Sequence, residues 1–163
     1  MQELLGAVDA NPETATHCAS DVMFVNATDL ESADLGPPFN VIFISNFLEH
    51  LNDSNEVLHV LLSAHKRLTS GGRLIILQPN FALLGARYFD FIDHKTILTH
   101  VSLLEALKLA HYDILLCKKR FLPYTSKSLL PKKPWLVRLY LKLPIAQYFL
   151  GKQTLVIATP KIS

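Results

Sequence analysis

Short runs rich in Val, Ile, Leu and Phe recur along the chain at Leu4–Ala10, Val22–Asn26, Phe39–Ser45, Arg73–Gln78, Asp113–Lys118 and Thr154–Thr159. Each has the length of a strand, and most are bounded by turn-forming residues. Between them the period changes. Over Asn55–Leu68, the residues Val57, Val60, Leu61, Ala64 and Leu68 recur at three- and four-residue steps. This predicts a helix with one apolar face, capped by Asp53 or Ser54. Thr69-Ser-Gly-Gly72 is expected to stop that helix with a left-handed glycine turn, returning the chain to the sheet at Gly72-Arg-Leu-Ile-Ile-Leu. A second helix is predicted through Ser102–Leu109, with Ser102 as N-cap and Glu105 completing a capping box. Such alternation predicts an α/β fold, a mostly parallel sheet with helices on both faces.

Two segments leave this rhythm. Pro79–His100 gathers aromatic residues around Asp90, Asp93 and His94, as a functional loop or short helix beyond a strand end would. Leu122–Gly151 combines Trp135 and several prolines with Lys127, Lys132, Lys133, Arg138 and Lys142. It reads as a cap, 122–151, inserted into a single domain spanning 1–163. Pro134 suits the first turn of a helix and Pro144 its end, with Trp135, Leu139 and Leu143 pointing inward at helical spacing. The stretch 135–143, WLVRLYLKL, also mixes apolar and basic residues as interfacial helices do. Peripheral membrane contact is therefore the alternative to a lid.

With 163 residues, half of them hydrophobic, the chain can bury one sizeable core. A net charge of +2 is too small to imply a nucleic-acid partner. Cys18 and Cys117 stand far apart without metal-knuckle spacing, so reduced thiols are the default. No run reaches the roughly 18 apolar residues of a membrane span, and MQELLGAVDA lacks a basic stretch followed by an apolar one. A cytoplasmic location is expected.

Polar residues collect where the strands end. FNVIFISNFLEHL, from Phe39 to Leu51, passes from an apolar run into Ser-Asn and then Glu-His. In open α/β sheets, ligands bind beyond the carboxyl ends of the strands. That stretch, VDANP at Val8–Pro12, NATDL at Asn26–Leu30 and HKRLTSGGRLIILQPN at His65–Asn80 together resemble the class I methyltransferases that use S-adenosylmethionine. The resemblance covers about residues 4–121, and the strand Gln153–Thr159 fits it as well. It implies a Rossmann-like sheet whose last strand is antiparallel. It also implies S-adenosylmethionine as cofactor and methyl transfer to an unspecified small-molecule or glycan-type acceptor. A non-catalytic methyltransferase-like binding or assembly protein would share the fold.

The resemblance also implies site residues. Asp9, at the end of the second family strand, would take the ribose hydroxyls, for which a bidentate carboxylate is suited; a turn-forming Asp before Asn-Pro is the plain alternative. Asn26 and Ala27 match the family's adenine-binding D-A pattern, with an amide replacing the acid and Asp29 nearby. Ser45 and Asn46 would lie against the methionine end. Glu49 and His50, with Asp90, would meet the substrate, the alternative being a helix-start pair. Some relatives hold a divalent metal through Glu-x-x-Glu-His. Here Asn46-Phe-Leu-Glu49-His50 leaves two local ligands, so no metal is expected. Asp93 and His94 are the catalytic candidates, His94 as a base of ordinary pKa about 6.5; alternatively they cap a helix around Lys95–Thr99. The family's G-x-G loop does not occur among Gly6, Gly36, Gly71, Gly72, Gly85 and Gly151. The chain is accordingly expected to begin at the family's second strand, N-terminally truncated, and to bind the cofactor weakly by itself.

Overall fold

The computed structural model describes residues 5–9, 13, 16, 18–19, 22–26, 36, 38–124 and 134–161. Strands β1 (Leu5–Asp9) and β2 (Val22–Asn26) pair in parallel, with Asp9 and Asn26 as register partners at their carboxyl ends. A second sheet has the order β3-β4-β6-β5, formed by β3 (Phe39–Ser45), β4 (Leu68–Pro79), β5 (Tyr112–Lys118) and β6 (Gln153–Pro160). β3 and β4 are parallel, while β6 runs antiparallel to both β4 and β5, as the sequence predicts.

Helix α1 (Ser54–Arg67) makes the crossover from β3 to β4. Asp53 is its N-cap, accepting from the amides of Asn55 and Glu56 at 2.8 and 3.0 Å. The helix ends differently from expectation. Leu68 is already extended and begins β4, and the left-handed residue, Gly71 at φ 75°, lies inside a bulge of that strand. The register accordingly jumps from Phe39↔Leu68 to Val41↔Arg73. Helix α3 (His100–Leu109) starts two residues before the expected cap. Thr99 is the N-cap and Ser102 closes the box from the third helical position, so Glu105 is not needed for it.

The core lies on one face of the larger sheet. Val57, Leu61 and Ala64 of α1 and Leu103 and Leu107 of α3 pack with Leu74, Ile76, Val156 and Ala158 from the strands. On β3 the alternate positions Val41 and Phe43 remain 53% and 60% exposed, so the described residues do not cover that face of β3. Among the described residues, helices cover that part of the sheet on one face only.

Helices α4 (Pro134–Lys142) and α5 (Pro144–Leu150) fall between β5 and β6. Lys152 N–H donates to Leu122 O, Tyr140 Oη to Phe121 O and Arg120 Nη1 to Tyr148 O, tying them to the carboxyl end of β5. A Cβ on Gly151 would meet Gln147 O at 2.5 Å and Arg120 C at 2.9 Å, so only glycine permits this approach. The expected inward set is a correction: Trp135, Leu139 and Leu143 are 59%, 48% and 45% exposed. Two short helices separated at Leu143 present their apolar residues outward instead of over a core. Lys127, Lys132 and Lys133 lie outside the described residues.

Candidate functional site

At the carboxyl end of β3 the chain turns sharply through Asn46, whose φ of 46° is one that Asn tolerates better than most residues. Asn46 N–H donates to Leu77 O at 2.9 Å and its Oδ1 accepts from Gln153 Nε2 at 2.9 Å. The amide therefore pins β3 to β4 and β6, with Nδ2 reaching Ser45 Oγ at 3.3 Å. Ser45 and Asn46 both remain exposed. Ala27 and Asp29 lie outside the described residues, and Asp9 and Asn26 are placed by backbone alone.

Beyond that turn, Leu48–His50 forms a single 3-10 turn that buries Leu48 and Glu49. The following loop is stapled to it, since Lys95 N–H and Thr96 N–H both donate to Glu49 O, at 2.9 and 3.1 Å. Thr96 Oγ1 adds a bond to Leu51 O at 2.6 Å. Residues 95–99 form no helix, so the alternative role of Asp93 and His94 as its cap is ruled out. Those residues instead face Glu49 and His50.

His50 Nδ1 lies 3.2 Å from Asp93 O and 3.2 Å from Asp93 Oδ2, while its Nε2 is 3.9 Å from Glu49 Oε1. His94 is buried among Tyr88, Phe91 and Tyr124, with Nδ1 2.7 Å from Tyr88 O and Nε2 3.3 Å from Tyr124 Oη. Burial holds its pKa below the ordinary 6.5, outweighing the Tyr88 carbonyl. The imidazole is neutral at pH 7, and its free lone pair is covered by the Tyr124 hydroxyl. Burial also lifts that phenol to about 12, helped by Glu49, Asp93 and Asp90. Asp90 is largely exposed and pairs with Arg87 at 3.8 Å, outside the tight cluster.

Glu49 is 1% exposed, and neither carboxylate oxygen has a hydrogen-bond partner among the described residues. Gln78, buried at the end of β4, has both amide atoms unpartnered as well. It comes near enough to steady the carboxylate electrostatically without a properly aligned bond. Desolvation wins, raising the Glu49 pKa above 4.5 against the lowering effects of its own backbone, His50 and Gln78. Sequence reading missed Gln78, Tyr88 and Tyr124. For Gln78 alone there was a signal, a polar residue closing the run Arg73-Leu-Ile-Ile-Leu-Gln78.

The raised carboxyl sets the direction of a pH effect. The folded protein holds a proton that the unfolded chain releases, so this contribution to stability is complete below about pH 4.5 and is lost as pH rises through the folded value. His50, Asp93 and His94 face the same carboxyl. Urea unfolding of Glu49→Gln should therefore show a flatter decline with pH and a gain of about 1–3 kcal/mol over the wild type at neutral pH, the usual cost of an unsatisfied buried group. Parallel pH profiles for the two proteins would contradict this.

No protein-family model and no curated protein matches this sequence. Solved structures do match. A SAM-dependent methyltransferase from Archaeoglobus fulgidus superposes with a TM-score of 0.64 at 16% identity, over 94% of this chain and 75% of that one. The N-methyltransferase NodS from Bradyrhizobium japonicum, in complex with S-adenosyl-l-homocysteine, gives 0.60 at 14%, over 98% and 67%. The [4+2]-cyclase SpnF gives 0.61 at 13%, over 98% and 67%. At such identities the likeness is one of fold, and it agrees with the Rossmann-like sheet read from the strand-end motifs. The chain has the fold of the class I S-adenosylmethionine-dependent methyltransferases.

Proposed function

We propose that this protein is an S-adenosylmethionine-dependent methyltransferase acting on a small-molecule or glycan-type acceptor. The observation that carries the reading is that parallel strands in both sheets end in polar residues, with Asp9 and Asn26 in register in one and Ser45–Asn46 closing β3 in the other. This donor and acceptor set suits an adenosyl group: a carboxylate for paired ribose hydroxyls, an amide for the adenine edge, and Ser45 and Asn46 toward the sulfur. The cofactor supplies the electrophilic methyl group. The chain's part is to bind both partners, align them and accept the acceptor's proton, since alignment provides much of the rate. The Glu49, His50, Asp93 and His94 cluster lies just beyond Asn46 and is the place for the acceptor oxygen, with Asp90 at its rim.

The test is transfer of labelled methyl from S-adenosylmethionine to a panel of hydroxylated small molecules and oligosaccharides. Transfer that disappears in Asp9→Ala supports the reading. A protein that binds S-adenosylhomocysteine but transfers to no panel member supports the non-catalytic alternative.

The chain is read as one domain with 122–151 as its cap. The outward apolar residues of α4 and α5, among them Trp135, Leu139, Ile145 and Phe149, with Leu143 between the helices and Arg138 and Lys142 beside them, support peripheral contact with an anionic lipid surface. No helix among the described residues is long and apolar enough to cross a membrane. Sedimentation with phosphatidylserine-containing vesicles should carry the protein down and phosphatidylcholine vesicles should not. Equal recovery in both supernatants would contradict the contact.

A further inference from the structure

Counting neighbours in sequence leaves Glu49 and His50 as an incomplete ligand pair, but the fold brings in His94 from the loop that follows α2 (Phe81–Leu84). We propose that Glu49, His50 and His94 form a binding site for a divalent transition-metal ion of the zinc class. One ligand atom from each residue lies within 4.8 Å of the others. Donors held at about 2.1 Å around a tetrahedral ion stand roughly 3.4 Å apart, so modest side-chain rotation closes the set.

The hydrogen bonds around the two imidazoles prepare them for this. Tyr88 O can only accept, so its contact at 2.7 Å places the His94 proton on Nδ1 and leaves Nε2 as the acceptor, facing Tyr124 Oη at 3.3 Å, a long contact that a metal ion would displace. Asp93 offers His50 Nδ1 two acceptors, its carbonyl and its carboxylate, with the same consequence. Metal-binding histidines are held in this way, by a carbonyl or carboxylate on the nitrogen that does not bind the metal. At the centre the Nε2 of His50 lies 3.9 Å from Glu49 Oε1, too far for a hydrogen bond. The Glu49 carboxylate is 1% exposed and receives no hydrogen bond among the described residues. A cation satisfies all of these groups together.

Two nitrogens and one carboxylate oxygen match zinc or a neighbouring first-row ion. Magnesium and calcium require more oxygen ligands than this cluster supplies. Three protein ligands leave a position open to water or to an oxygen of the substrate. Metal binding stands without the methyl-transfer reading; only the identity of that oxygen, as the methyl acceptor's, rests on it.

The test uses the full chain after chelation and no S-adenosylmethionine, so that its failure is separate from failure of the methyl-transfer reading. Calorimetry with zinc chloride should give one ion per chain, and cobalt should develop the visible absorption of a low-coordinate site. His50→Ala, at a half-buried position, and the isosteric Glu49→Gln should each weaken zinc binding by on the order of 100-fold or more. Asp93→Asn, which loosens the His50 tautomer without removing a ligand, should weaken it about tenfold. His111→Asn, on a turn where a φ of 62° suits Asn, should change nothing. Absence of stoichiometric binding by the wild type, or binding that survives both ligand substitutions, would overturn the proposal.

Discussion

Calorimetry of this chain with S-adenosylmethionine is expected to show binding at least hundreds-fold weaker than an enzyme of the same fold with a glycine loop would show. That loop lets the backbone approach the methionine ammonium and carboxylate and bond to them. None of the six glycines here has the required spacing to another. Gly71 serves a strand bulge and Gly151 a helix end, so neither is free for the role. Each charge-assisted hydrogen bond lost removes about 1.5–3 kcal/mol, and two such losses multiply to a factor of hundreds or more. On the proposed reading the adenosyl half keeps Asp9 and Asn26 as partners, so binding is weakened without changing place, and Asp9→Ala should weaken it further. A low-micromolar dissociation constant for the wild type would contradict the prediction and show that other residues replace the loop.

Tyr88→Ala is expected to cost about 3–5 kcal/mol of stability and to dismantle the candidate site. Tyr88 is fully buried, with Phe81 and Phe89 edge-on to its ring at 5.6 Å and His94 at 4.8 Å. Its hydroxyl donates to Thr96 O at 2.7 Å and its carbonyl receives His94 Nδ1. One residue thus fixes both the loop and the imidazole. Tyr88→Phe removes only the hydroxyl and should cost about 1–1.5 kcal/mol. Denaturant midpoints at constant m-value distinguish the two substitutions. Equal losses in both would mean that the ring contributes little beyond its hydroxyl.

The parts of the fold legible in the sequence were those governed by local rules. β2 and β3 occupy the residues their apolar runs predict, and α1 starts where Asp53 can cap it. Local rules misplaced the end of α1, because pairing with β3 continues through the bulge at Gly71 and makes strand of what reads as a turn. They also turned α4 the wrong way. Helical spacing identifies a common face for Trp135 and Leu139 but not what that face meets. Ser45, Asn46, Glu49 and His50 announced themselves as polar residues closing an apolar strand. Their joining to His94 and Gln78 did not, since it depends on backbone bonds from Lys95 and Thr96 to Glu49 and on the register of β4. No spacing along the chain encodes either.

The central claim is that the carboxyl ends of β1, β2 and β3 receive the adenosyl cofactor. Its most direct test is NMR of isotope-labelled protein titrated with S-adenosylhomocysteine into the millimolar range, which registers weak binding residue by residue. The account predicts saturable shifts of the Asp9, Asn26, Ser45 and Asn46 amides, with the strand interiors unmoved. Saturable shifts centred on another part of the chain, or none at millimolar ligand, would contradict it.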